Sequence, residues 1–139
     1  FIGTPPMNFF NMKISKEQGH VYLQDGQMRV KLPSEMASKL VASNYSKEEV
    51  VFGIRPEDIY IKASYLGKTD ENIVKGEVEV VEPLGSLTYL YVNTGSGMLT
   101  AKGEPTIDHN SLGQNIELAF DMMRSKIFDK ETEQTIVDL

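Results

Sequence analysis

The sequence has no cysteine, no tryptophan and only two histidines, His20 and His109. Without thiols there is no disulfide framework and no thiolate metal site. The two histidines stand in different turn regions, neither at ligand spacing with another candidate, so no imidazole metal site is expected. Positive charge is also scarce, since 14 Lys and Arg face 20 Asp and Glu, a net charge of -6. Nucleic acid and anionic lipid both ask for the opposite sign, which removes nucleic acid from the expected partners. Long apolar runs are missing too. None approaches the roughly 20 residues that cross a bilayer, so no direct membrane insertion is expected. The start lacks the charged, apolar and cleavage regions of a signal peptide.

What is present is a globular composition of 139 residues with 40% hydrophobic content. That length suits one domain, or two very small subdomains sharing a core. A chain of this size buries roughly two-thirds of its unfolded surface. Short alternating segments dominate. In "HVYLQDGQMRVKL" (20–32), Val21 and Leu23, then Met28, Val30 and Leu32, alternate with polar residues around Asp25-Gly26. Asp-Gly suits the positive φ of a two-residue hairpin turn. "PSEMASKLV" (33–41) is the one helical stretch, with Ser34 as its cap and Met36/Leu40 and Ala37/Val41 at helical spacing. "VVFGIRPEDIYI" (50–61) reads as a strand, a corner at Arg55-Pro56 and a second short strand, because Pro56 has no N–H for a ladder.

Further along, "IVKGEVEVVE" (73–82) places Val74, Gly76, Val78 and Val80 on one face, with Lys75, Glu77 and Glu79 on the other. "SLTYLYVNTGSG" runs into a Gly-rich turn, "MLTAKGE" returns from it, and "NIELAF" alternates again through Ile116, Leu118 and Phe120. "KIFDKETEQTIVDL" closes the chain as two strand ends around a turn at Asp129-Lys130. Many short strands at this spacing predict a sandwich or small barrel. The polar run "ASYLGKTDEN" (63–72) is the expected seam between two halves.

No catalytic constellation emerges. Gly67-Lys68-Thr69 matches the end of a phosphate loop, but Lys62 stands where its first glycine belongs and no helix opens after it. Asp108-His109 with Ser111 is adjacency in sequence, not triad geometry. Glu77 and Glu79 share a strand face that reads as a solvated surface, and paired acid/base carboxylates need a cleft. Arg55-Pro56-Glu57-Asp58 has a plain reading as an ion-paired corner and a sharper one as a docking edge for another protein. Exposed ion pairs are common and individually weak, which favours the first.

Taken together, "FIGTPPMNFF" (1–10), "VFGIRPEDI" (51–59), "VEPLGSLTYLYV" (81–92), "GQNIELAFD" (113–121) and "KIFDKETEQTI" (126–136) resemble a known family. It is the C-terminal regulatory domain of carbohydrate-importing ABC ATPases of the maltose and multiple-sugar type. The resemblance implies a mainly all-β fold of two interleaved OB-like small barrels, TOBE or MOP-like, with one short helix. Residues 1–10 would lead from an ATPase domain into the first strand, with 11–62 as the first OB-like subdomain. Residues 63–72 would connect it to 73–139, the second, whose last strand can return to the first.

The implied role is to hold two ATPase subunits together as a homodimer and to receive cytosolic regulatory proteins. Other implied partners are the ATPase domain and, through the full-length protein, the transporter membrane subunits. The implied location is the cytoplasmic face of the cell membrane, peripherally attached. No catalytic, metal or cofactor residue is expected in this chain, Mg-ATP belonging to the ATPase domain. Phe9, Gly53, Arg55, Glu57 and Gly85 are the residues at which the resemblance places a partner or dimer surface. The alternative is an oxyanion sensor like the molybdate-binding MOP barrels. The corresponding stretch, Thr69-Asp70-Glu71-Asn72 before Ile73–Val78, carries two carboxylates that would repel an oxyanion.

Overall fold

Alternating apolar side chains build two antiparallel sheets with a common interior. The computed structural model describes residues 6–26, 28–61, 72–103 and 111–138. One sheet contains β1 (Asn8–Glu17), β2 (His20–Asp25), β3 (Met28–Lys31), β4 (Glu49–Ile54), β10 (Lys126–Asp129) and β11 (Thr135–Asp138), in the order β11-β10-β4-β1-β2-β3. The other contains β5 (Ile59–Ile61), β6 (Ile73–Pro83), β7 (Thr88–Asn93), β8 (Met98–Gly103) and β9 (Asn115–Phe120), in the order β5-β9-β6-β7-β8. Its two edges, β5 and β8, approach each other and curl this sheet toward a closed barrel. A helix, α1 (Ser34–Ala42), packs on β2 and β11. The expected class, mainly β with one short α-helix among the described residues, is the observed one.

Sheet membership does not follow chain order. The chain leaves the first sheet through a 3-10 turn at Pro56–Asp58, which packs on β8 and delivers β5 to the second sheet. It comes back through a second 3-10 turn at Met122–Arg124 and supplies β10 and β11 to the first. The two crossings are tied together, since the Asp121 N–H donates to the Asp58 carbonyl at 2.9 Å. Between the sheets lies one core, in which the rings of Phe52 (β4) and Phe120 (β9) stack 6.3 Å apart and almost parallel.

Side chains also bridge the sheets. The Asn8 amide donates to the carbonyls of Ile54 (3.1 Å) and Thr100 (2.9 Å) and accepts from the Thr100 N–H (2.8 Å). The Ser96 hydroxyl donates to the Asp25 carbonyl at 2.6 Å, and the Lys31 N–H donates to Asn72 Oδ1 at 2.6 Å.

Local departures from the sequence expectations have physical causes. Asp25 is the last paired residue, opposite Met28, so the hairpin turn sits one residue beyond Asp25-Gly26 and uses the positive φ of Gly26. Pro33 occupies the N-cap of α1, and the Ser34 hydroxyl bonds the Glu35 carboxylate instead of capping. Met36 and Leu40 are buried, but Val41 is 59% exposed, because the helix presents a narrower stripe to the sheet than its sequence offers.

In β6 the register slips between Val78 and Val80. A bulge adds one residue and turns the following side chains over, so Val80 faces solvent and Val81 takes its place in the core. At Gly76 a Cβ would stand 2.5 Å from Val92 Cγ1 and 2.7 Å from the Asn93 carbonyl oxygen, so this strand passes its neighbour closer than any side chain permits.

Removing the ring that joins the two sheets should be costly. Phe120→Ala is expected to lower the unfolding free energy by about 3–5 kcal/mol, measured by urea denaturation followed by far-UV circular dichroism.

Candidate docking face

The first sheet packs one face on the core and leaves part of the other bare. Phe9 points outward from β1, directly opposite Gly53 of β4, and is 59% exposed. From β10, the Phe128 ring meets the Phe9 ring edge-on at a centroid distance of 5.9 Å. Gly53 lies beneath both. A Cβ there would stand 2.6 Å from Met7 Sδ, 2.9 Å from Phe128 Cε2 and 3.4 Å from Phe9 Cδ1. The absent side chain is therefore what lets Met7, Phe9 and Phe128 crowd together over β4. Beside them runs a groove of about 520 Å³, lined by Phe9, Asn11, Val51, Phe128, Asp129, Lys130 and Glu133.

Charged residues frame this apolar centre. The Asp129 carboxylate is held down at about 2 by the Thr132 N–H, the Lys47 ammonium and the Glu131 N–H, with Lys47 Nζ 3.0 Å from Oδ1. Lys130 bonds Glu49 at 2.8 Å and keeps that carboxyl below its ordinary range. On the far side Lys126 pairs with Asp138. An exposed aromatic centre with a polar rim is how partner surfaces are commonly built.

Of the five residues singled out from sequence, the structure puts Phe9 and Gly53 in direct opposition. Arg55 and Glu57, both exposed, follow on the corner that β4 enters. Gly85 belongs to the second sheet, in the turn where the Leu84 N–H donates to the Leu87 carbonyl. Its φ of +72° suits glycine, and nothing stands within 4 Å of its Cβ position, Phe9 and Gly53 included. Sequence reasoning missed Met7 as a covering residue, and Val51 and Phe128 as members of the face. Only the pairing of β4 with both β1 and β10 brings Val51 and Phe128 there, and no local pattern announces a contact across more than 70 residues.

The remaining candidates scatter. His20 is exposed and stacks edge-on with Tyr22. Glu77 and Glu79 face solvent, with Glu79 accepting from the Asn93 amide at 3.2 Å. The phosphate-loop-like stretch 66–70, Asp108-His109 and residues 69–71 of the oxyanion stretch lie outside the described residues. Asn72, at the end of that stretch, is engaged with the Lys31 N–H. Among the described residues, no cluster of three or more His, Asp or Glu side chains is arranged to hold a metal ion.

Asp58 is the one carboxylate buried among the described residues. Burial pushes its pKa up, Glu57 adds to the effect, and the guanidinium of Arg124, 4.0 Å away, opposes it.

The sequence model of the MalK OB fold domain matches residues 3–59, and that of the TOBE domain matches residues 52–125. The trehalose/maltose import ATP-binding protein MalK of Thermococcus litoralis is 34% identical over 98% of this chain. The multiple sugar-binding transport ATP-binding protein MsmK of Streptococcus mutans is 33% identical, and the oligosaccharides import ATP-binding protein MsmX of Bacillus subtilis 32% identical, over the same share. This chain spans 36%, 35% and 36% of those three relatives, about a third of their length. Among solved structures, the cytoplasmic molybdate-binding protein ModG superposes with a TM-score of 0.62 at 17% identity, covering 86% of this chain and 94% of that one. At that identity the likeness concerns the fold alone.

Two substitutions probe the face and its corner. Gly53→Ala is expected to cost about 1–3 kcal/mol, because the new methyl overlaps Met7 and Phe128, and to shift the Phe9 and Phe128 ring resonances in NMR spectra. Asp58, with a folded-state pKa above its unfolded value, favours folding most below that unfolded value and opposes it as pH rises through the folded one. Asp58→Asn should therefore raise the melting temperature at pH 7, with the gain vanishing in acid, as a pH series of thermal melts would show.

Proposed function

The chain belongs to the TOBE domain family of sugar-import ABC ATPase subunits, with a MalK-type OB fold in its first part, and from that membership we propose that it is the regulatory and dimerisation domain of such a subunit. It holds two ATPase subunits together about the Phe9–Gly53–Phe128 face and offers a docking surface to cytosolic regulatory proteins. Arg55 and Glu57 border that surface. Gly85 serves a separate contact on the second sheet. The observation that carries this reading is similarity over 98% of the chain to proteins named as sugar-import ATP-binding subunits.

A rigid β body suits the task. Two motor domains joined at one end find each other again as an intramolecular event, at an effective concentration set by the tether and not by the bulk solution. The full-length subunit would hydrolyse Mg-ATP and energise sugar uptake on the cytoplasmic side of the membrane, against the transporter's membrane subunits. This chain contributes no chemistry to that cycle and needs no cofactor. The oxyanion-sensor alternative has less support, because the Asn72 side chain already serves a backbone N–H of β3.

Two measurements test the reading. Sedimentation equilibrium of the chain should give a dimer at high concentration, weakened about tenfold or more by Phe9→Ala, the loss expected of a central interface aromatic. A strict monomer would remove self-pairing. Titration calorimetry with Mg-ATP should give no heat of binding to this chain, and micromolar affinity would overturn its non-catalytic role.

A further inference from the structure

Asn8 is 9% exposed in a run of apolar residues, and its side chain does more than satisfy itself. Thr100 lies on β8, an edge of the second sheet, and faces Tyr91 of β7 on its other side. Through one amide group, Asn8 supplies both an acceptor for the Thr100 N–H and a donor for the Thr100 carbonyl. A neighbouring strand would offer the same pair of bonds. The same Nδ2 donates to the carbonyl of Ile54, the last residue of β4 before the chain crosses to the second sheet. Asn8 is itself the first residue of β1. The start of the first sheet, the exit from that sheet and the edge of the second thus meet on a single side chain.

We infer that Asn8 is a coupling latch, which makes the first residue of β1 an additional partner for the edge of the second sheet, so that whatever displaces the chain just before Asn8 moves both sheets as one body. Shifting β1 against β8 would break the two hydrogen bonds to Thr100 in a site nearly closed to water, where unpaired polar groups are costly. The latch requires an amide in particular. Alanine offers no polar group, and an ionised carboxylate at this position would turn an acceptor toward two carbonyl oxygens. The use of this coupling, transmitting the attitude of an attached ATPase domain to the docking face and the second sheet together, rests on the reading under Proposed function.

The readout is amide hydrogen exchange of Thr100, expressed as protection relative to the unfolded chain at the same pH, with the Phe52 amide in the first sheet as control. Asn8→Ala should lower Thr100 protection by a factor of about ten or more and leave Phe52 within about threefold. Asn8→Asp gives a sharper result and remains informative if Asn8→Ala does not fold. Its carboxyl, facing two carbonyls, has a folded pKa above the ordinary value of about 3.9. The protonated form carries one donor and one acceptor and restores pairing, and that pairing is lost as pH rises through the raised pKa. Thr100 protection in Asn8→Asp should therefore stay near that of the parent chain at about pH 4 and fall by about tenfold at pH 7, while the parent chain shows no such loss.

Unchanged Thr100 protection in Asn8→Ala, equal loss at Thr100 and Phe52, or a pH-independent Asn8→Asp would each overturn the latch. Sedimentation on the same samples separates the two readings. A monomeric parent chain whose Thr100 is released by Asn8→Ala keeps the latch and removes the pairing. A Thr100 that stays protected in Asn8→Ala removes the latch whatever the mass.

Discussion

Two backbone crossings, at residues 55–58 and 121–125, govern the architecture, together with the Asp121 N–H to Asp58 carbonyl bond between them. Each passes the chain from one sheet to the other, so the second sheet is built from the consecutive strands β5 to β9 that lie between them, while the first joins strands from either side of that stretch. The strands on either side of the crossings bring Phe52 and Phe120 face to face. Because β10 comes after the second sheet in sequence and lies beside β4, the outer surface of the first sheet draws on strands from both sides of the crossings.

That dependence explains the character of the docking face. Its apolar centre comes from three places in the chain, the entry to β1, the middle of β4 and the end of β10. Gly53 is the floor that leaves them room. The rim residues are held by charge pairs that orient side chains without burying them, and such pairs contribute more to placement than to stability. Two carboxylates bordering the region titrate in opposite senses. Burial pushes Asp58 up, and donors pull Asp129 down to about 2. Ionising Asp58 costs the fold stability, whereas ionising Asp129 adds to it.

The alternation of β6, β9 and the β2–β3 hairpin was legible in sequence because a strand's two faces show directly as a period of two. The same reasoning failed at Val80, since a bulge is one residue of backbone geometry and leaves no mark in a hydrophobic pattern. It placed the hairpin turn one residue early, because the register of the whole ladder outweighs the local preference of Asp-Gly. Ser34 looked like a cap by type but lies inside the first turn of α1. At the docking face, Phe9 and Gly53 were reached through family resemblance, whereas Phe128 needed the non-local pairing of β10. Asn8 carried a signal that could have been read. A single amide inside "PPMNFF" is a polar group that must find partners if its neighbours are buried.

Sheets usually invite their own kind, because an unpaired strand edge is a template for another chain. Among the described residues the exposed templates are brief. The outermost strands β3, β5 and β11 span four, three and four residues. The six-residue β8 is interrupted by the amide of Asn8 at Thr100. A domain built this way can be crowded against identical copies without seeding intermolecular fibres. Its associations are steered toward side-chain surfaces, which can let go again, and away from backbone ladders, which seldom do.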